Sequence, residues 1–153
     1  MKRTPTRIRL CISLLIVNLL FIWGNSALPG EISGAISGWI KDWILKLMGQ
    51  PPSDAVGGHG LLRKLAHFTE FCTLGLCLCW LFKMMRPGKI FGLAVPITAG
   101  FLVACIDETI QIFVPGRGPG IKDVGIDTLG VITGIILINL FTHRKNNLED
   151  IHV

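Results

Sequence analysis

Hydrophobic residues are gathered into four long runs, at about residues 9–28, 65–82, 90–110 and 124–141. A helix rises about 1.5 Å per residue, so about 20 residues cross the ~30 Å hydrocarbon core of a bilayer. The runs approach or reach that length and hold few charged side chains. The pattern therefore predicts an all-α membrane protein with four transmembrane helices.

The first run also has some features of a secretory signal peptide, because basic residues precede it. However, the run is long for the apolar part of a signal peptide, and Asn25-Ser26-Ala27 matches a cleavage site poorly. We therefore predict that the first run is an uncleaved transmembrane helix.

Residues 31–50 show a different pattern, with apolar side chains at helical spacing and polar side chains between them. Trp39 and Trp43 lie on the apolar stripe, which is typical of an amphipathic helix at a membrane interface. Pro51 and Pro52 end this helix, since proline lacks the N–H that a helix needs. A helix packed against the other spans would show the same pattern, and the sequence leaves the two alternatives open.

Composition supports the membrane assignment. The chain has 153 residues, of which 50% are hydrophobic and 16% charged, against about 25% charged in soluble domains. Its length predicts one domain, which we place at residues 8–145. The formal net charge of +5 comes from basic residues at the ends of apolar runs, so it does not indicate nucleic-acid binding. The five cysteines lie within apolar runs without the spacing of a zinc site, which indicates packing residues.

The distribution of basic residues predicts the orientation. Nine of the fifteen Lys and Arg residues lie before the first run, between the second and third runs, or after the fourth. By the positive-inside rule, both termini are then cytoplasmic.

The ionisable residues of the last three runs fall at one depth. Counting about 20 residues from the cytoplasmic ends of these runs places His67, Glu70 and Asp107 just inside the outer membrane edge. Ionisable groups in a membrane are costly unless paired or hydrated, and they usually mark function. The predicted site consists of Lys64, His67, Glu70, Asp107, Glu108, Gln111, Arg117, Lys122, Asp123 and Asp127.

The residue types at this depth suit phosphate chemistry. His67 could act as a general acid or base, and Arg117 could bind a phosphate with two parallel hydrogen bonds. Asp107, Glu108 and Asp127 could hold a divalent cation that bridges to phosphate.

Three short motifs carry these residues in order. In their order and spacing they resemble the motifs of the VanZ-like family, which commonly has Asn where this chain has Asp127. The end of the first run, residues 22–26, is also similar to the polar ending found in that family. The motifs are Lys64-x-x-His67 with Glu70-Phe71 and Leu74-Gly75, Asp107-Glu108-x-x-Gln111 with Phe113-x-x-Gly116-Arg117, and Asp123-x-x-x-Asp127-x-x-Gly130-x-x-x-Gly134.

The resemblance implies a protein of the bacterial cell membrane that binds or acts on a lipid head group or a lipid-linked envelope precursor, with a link to teicoplanin resistance. The expected partners are membrane lipid and a phosphate-bearing lipid-linked precursor, and a divalent cation is the candidate cofactor. The candidate catalytic residues are His67, Glu70, Asp107 and Glu108, and the candidate substrate-binding residues are Lys64, Gln111, Arg117, Lys122, Asp123 and Asp127.

Two other functions fit the same pattern. In a structural or partner protein, the charges would only neutralise one another and hold the helices together. In a small proton-linked transporter, the charged residues would relay protons, although the inner halves of the last three runs contain no series of ionisable side chains that could continue the relay. Loss of abundance on alanine substitution would favour the first function, and an uncoupler-sensitive flux would favour the second.

Overall fold

The computed structural model describes residues 5–51, 59–85, 89–118 and 120–151, so Pro52 lies outside the described residues. Within them the chain is helical, without a strand. The helices are α1 (Pro5–Ser26), α2 (Gly30–Leu47), α3 (His59–Met85), α4 (Lys89–Ile112) and α5 (Ile121–Ile151).

Four of these helices contain stretches long and apolar enough to cross a membrane, which confirms the predicted fold class. The stretches are Pro5–Ser26, Gly60–Met85, Gly92–Ile112 and Ile121–Thr142. Apart from the C-terminal end of α1, which stops at Ser26, the helices extend beyond the predicted runs, because residues such as Lys, Arg and Glu cost little once a helix is nucleated. Hydropathy therefore locates the part that crosses lipid and underestimates the length of the helix.

The outer faces of the bundle are apolar and exposed. On α1, for example, Val17, Leu20 and Phe21 are each more than 60% exposed. Monomeric soluble proteins rarely expose large contiguous apolar patches, so lipid must cover these faces. The buried hydrophobic cluster is correspondingly small and comprises Ile22, Phe71, Leu74, Leu78, Cys79, Ala104, Val131 and Ile135.

Glycines bring α3 and α5 into backbone contact, and this is the most extensive helix pair in the bundle. Gly130 lies against the backbone of Phe68, and Gly134 lies against the carbonyl of Cys72. A Cβ at either glycine would collide with that backbone. Small residues at four-residue spacing allow this approach between transmembrane helices, so the glycines fix how the polar ends of α3 and α5 face each other.

Replacing Gly134 with leucine is expected to destabilise the bundle, because the new side chain would force α5 away from Cys72. Overpacking of this kind typically costs about 1–3 kcal/mol, and backbone contact puts this site at the upper end. The matched control is Gly125→Leu, because a Cβ at Gly125 on the same helix meets no atom within 4 Å. Thermal unfolding in detergent should show a lower Tm for Gly134→Leu alone. An equal loss in both variants would contradict the packing role.

α2 is the predicted amphipathic helix, and its apolar face is largely uncovered by protein. Trp39 and Trp43 are exposed, whereas Ser33 is its buried residue. Its first residue, Gly30, donates a backbone hydrogen bond to the Pro115 carbonyl (2.9 Å) and packs against Gly116, which anchors one end of α2 to the loop after α4. This exposure disfavours the alternative of a helix packed against the spans.

Candidate functional site

The polar residues meet at one end of the bundle, where α1 and α4 end and α3 and α5 begin. Antiparallel connections bring these four helix ends together, as the depth count along the sequence predicts. Among the described residues, six ionisable or amide side chains are buried here with at most 8% exposure, together with the Ser26 hydroxyl: His67, Glu70, Asp107, Glu108, Gln111 and Asp127.

His67, Asp107 and Asp127 occupy the centre of this end. His67 Nδ1 lies 3.6 Å from Asp107 Oδ2 and 3.8 Å from Asp127 Oδ1. Both distances exceed the range of about 2.7–3.2 Å for an N–H···O hydrogen bond. His67 Nδ1, Asp107 Oδ1 and both oxygens of Asp127 are buried without a hydrogen-bond partner among the described residues.

Gln111 connects two of the carboxylates to α1. Its Nε2 lies 3.0 Å from Asp107 Oδ2, 3.2 Å from Glu108 Oε1 and 3.2 Å from the Ser26 hydroxyl oxygen. An amide nitrogen carries two hydrogens, so it can donate to two of these oxygens at a time. Gln111 thus orients carboxylates, which differs from the substrate-binding role that the sequence suggests.

Glu108 is held by the protein on both sides. Besides the contact of Oε1 with Gln111, its Oε2 accepts a hydrogen bond from the Gly120 backbone N–H at 2.9 Å. Gly120 directly precedes α5, so Glu108 ties the end of α4 to the start of α5. Both of its oxygens are therefore engaged, unlike those of Asp127.

Glu70 receives a hydrogen bond from α1. Asn25 Nδ2 donates to Glu70 Oε1 at 2.8 Å, whereas Glu70 Oε2 is buried without a partner. Sequence reasoning placed neither Asn25 nor Ser26 among the site residues. The signal that could have found them is the polar ending of the first span, which falls at the same depth as the carboxylates.

Arg117 mainly supports α1. Its Nε donates to the Leu28 carbonyl at 3.0 Å, and an Nη2 hydrogen goes to the Asn25 carbonyl at 2.6 Å. These carbonyls lie in and just after the last turn of α1, where backbone acceptors lack partners within the helix. Burial lowers the pKa of Arg117, while Asp107 and Glu108 oppose that shift, and an arginine stays protonated. Arg117 Nη1 is buried and has no hydrogen-bond partner among the described residues, so it could donate to a ligand.

A small, partly open cleft lies over the central residues. Lys64 lies at its mouth and pairs with Asp123, whose Oδ1 is 3.8 Å from Lys64 Nζ. Arg63 also lines the cleft, although the sequence hypothesis omitted it. Lys122 is exposed and does not line the cleft. The lining residues are Arg63, Lys64, His67, Glu108, Gln111, Asp123, Ile126 and Asp127.

Comparison with protein families decides the relationship. The family model described as VanZ/LLP1 matches residues 10–142, which include all ten predicted site residues. The chain belongs to the VanZ/LLP1 family. This confirms the resemblance seen in the three motifs. No match is found among curated proteins or among solved structures.

The VanZ/LLP1 match runs from the first span to the end of the fourth, so the buried cluster belongs to the family region. Together with the four apolar helices, membership makes the chain a multi-pass membrane protein. In this VanZ/LLP1 protein, the residues with ligand atoms grouped closely enough for one metal ion are His67, Asp107 and Asp127. The sequence hypothesis instead grouped Glu108 with the two aspartates.

Proposed function

We propose that this VanZ/LLP1 protein binds, and acts on, the phosphate-bearing head group of a lipid or lipid-linked envelope precursor at the outer leaflet of the bacterial cell membrane. The observation that carries the proposal is a set of buried, unpartnered polar atoms beneath a cleft whose mouth is cationic. Three features of the site support it.

The first feature is the unmet bonding capacity of the cluster. Carboxylates that serve only to join helices are expected to be paired, because an unpartnered buried polar atom costs about 1–3 kcal/mol and a charged one more. Here the unpartnered atoms belong to several helices and converge on one region. They are His67 Nδ1, Glu70 Oε2, Asp107 Oδ1, Arg117 Nη1 and both Asp127 oxygens. Such groups have bonds left to give to a ligand.

The second feature is the charge at the mouth of the cleft. Arg63 and Lys64 supply cations there, and the ion pair of Lys64 with Asp123 is partly exposed, with 45% and 25% of the two side chains accessible. Exposed ion pairs contribute little to stability, so a phosphate could replace Asp123 as the partner of Lys64 at small cost. Arg63 could then form two parallel hydrogen bonds to the same phosphate.

The third feature is the position of the cleft. It lies where transmembrane helices end, at the level where lipid head groups sit. The excess of basic residues at the other end of the spans favours an outward-facing cleft. A substrate with an anchored tail could remain in the bilayer while its head group enters this cleft. His67, at the cleft floor, is the best-placed general acid or base.

Binding of an anionic phospholipid tests the proposal. Replacing Arg63 and Lys64 with glutamine should weaken binding of phosphatidylglycerol at least tenfold, because a hydrogen bond to a charged group contributes about 1.5–3 kcal/mol. Native mass spectrometry of the full chain in detergent with a chelator would measure binding. Diacylglycerol, which lacks the phosphate, should bind weakly to wild type and variant alike.

The matched control is the pair Arg9→Gln and Lys46→Gln, which removes two exposed cations far from the cleft. It should leave phosphatidylglycerol binding within about twofold of wild type. An equal loss of phosphatidylglycerol binding in both double variants would mean that net charge alone attracts the lipid. Unchanged binding in both would exclude the cleft as the lipid-binding site.

A further inference from the structure

Three potential metal ligands converge at the floor of the cleft. His67, Asp107 and Asp127 each offer one nitrogen or oxygen atom, and these atoms all lie within 4.8 Å of one another. The three side chains come from α3, α4 and α5 and are at most 9% exposed. The arrangement therefore depends on the packing of the whole bundle and not on one local motif.

These atoms are close to one another without being bonded. At 3.6 and 3.8 Å, His67 Nδ1 is too far from Asp107 Oδ2 and Asp127 Oδ1 for hydrogen bonds. Around a tetrahedral Zn²⁺ with bonds of about 2.1 Å, by comparison, ligand atoms lie about 3.4 Å apart. Movements of a few tenths of an ångström would bring His67 Nδ1 to that spacing from each aspartate oxygen, and the two aspartate oxygens lie within 4.8 Å of each other.

We infer that His67, Asp107 and Asp127 bind a first-row divalent cation, with Zn²⁺ as the best chemical match. An imidazole nitrogen suits Zn²⁺ and its neighbours, whereas Mg²⁺ and Ca²⁺ prefer oxygen ligands alone. Two aspartates balance the charge of a divalent ion. Glu108 is left out of the ligand set because, among the described residues, the closely spaced ligand atoms belong to His67, Asp107 and Asp127 alone.

The surroundings of the three ligands suit an ion that also contacts substrate. Gln111 donates to Asp107 Oδ2 at 3.0 Å, and such contacts hold ligating carboxylates in place. The cleft reaches His67 and Asp127, so a bound ion would keep a coordination position open towards it. That position would take a phosphate oxygen of the head group. This last role rests on the proposed function, whereas binding of the cation does not.

Zn²⁺ binding to the full chain in detergent tests the inference. After treatment with a chelator, equilibrium dialysis should show about one Zn²⁺ per chain, and Co²⁺ should give the visible absorption of a site with mixed nitrogen and oxygen ligands. His67→Gln and Asp107→Asn should each weaken Zn²⁺ binding at least tenfold. The control is Asp42→Asn, which removes an exposed carboxylate on α2 outside the cleft and should leave the affinity within about twofold of wild type.

Thermal unfolding in chelator would confirm that each variant is folded. Zn²⁺ bound with equal affinity by wild type, His67→Gln and Asp107→Asn would overturn the inference, and so would the absence of bound Zn²⁺ in the folded wild type. The phospholipid test is performed in chelator, so its result does not depend on bound Zn²⁺. Phospholipid binding can therefore fail while Zn²⁺ binding succeeds, and Zn²⁺ binding can fail while phospholipid binding succeeds. The two results therefore distinguish the cation site from the proposed function.

Discussion

Expression of wild type is expected to shift the teicoplanin susceptibility of a bacterial host, whereas a host that expresses the His67→Ala variant is expected to be as susceptible as the empty-vector strain. His67 faces both buried aspartates and forms part of the cleft floor. Its imidazole can both accept and donate a proton. The His67→Ala substitution removes a candidate metal ligand and a candidate general acid or base at the same time. The measurement is teicoplanin susceptibility at matched membrane abundance.

Two variants separate loss of the site from loss of the fold. Asn18→Ala removes an interhelical hydrogen bond from Asn18 Nδ2 to the Thr73 hydroxyl (2.7 Å), away from the cluster, and should keep the wild-type susceptibility. Arg117→Gln should reduce membrane abundance, because it breaks the contacts with the Asn25 and Leu28 carbonyls.

If His67→Ala keeps the wild-type susceptibility at equal abundance, His67 has no part in this activity. If wild type itself causes no shift, the link to teicoplanin is wrong for this chain.

The Asp127→Asn variant is expected to unfold at a higher temperature than wild type in the presence of a chelator. Both Asp127 oxygens are buried without partners, and an Asp107 oxygen lies within 4.8 Å of one of them. The substitution keeps the shape but removes an ionisable group from among other buried carboxylates. A gain of about 1–3 kcal/mol corresponds to several degrees in Tm for a chain of this size. Thermal unfolding in detergent measures it.

This prediction separates a functional cluster from a structural one. Removing one partner of a buried ion pair that holds helices together typically costs about 3–5 kcal/mol, so a structural role predicts a lower Tm. Asp42→Asn is the control, since Asp42 is exposed on α2 and its replacement should leave Tm unchanged. Added Zn²⁺ should raise the Tm of wild type more than that of Asp127→Asn. A lower Tm for Asp127→Asn in chelator would favour the structural role.

The sequence predicts the spans and the depth of the polar residues well, because both depend on helix rise and bilayer thickness. Counting along each span places His67, Asp107 and Asp127 at one end of the bundle, and the structure has them there. Depth follows from position along one helix and needs no knowledge of its neighbours. The motifs of the family are also local in the chain, so the sequence alone reveals the resemblance that the family match confirms.

Side-chain partners could not be predicted in the same way, because they depend on how each helix is rotated and how closely it packs. Arg117 was a candidate phosphate ligand, yet it binds carbonyls at the end of α1. Glu108 was a candidate metal ligand, yet Gly120 and Gln111 engage it. Contacts between helices decide which partners these side chains have. The backbone contact of Gly134 with Cys72 is one of them, and the spacing of residues within one helix does not identify Cys72 as the partner.

The central claim, that a lipid head group enters the cleft, is tested most directly by photocrosslinking in membranes. Ile126 lines the cleft, whereas Ile136 on the same helix is an exposed apolar residue that does not line it. A benzophenone amino acid would replace each isoleucine in turn, in cells labelled with radioactive phosphate. The account predicts a phosphate-labelled adduct at position 126 that is lost when Arg63 and Lys64 are replaced with glutamine, whereas the adduct that surrounding lipid gives at position 136 is unchanged by these replacements. Labelling at 126 that survives the loss of both cations, or an equal loss of labelling at both positions, would contradict it.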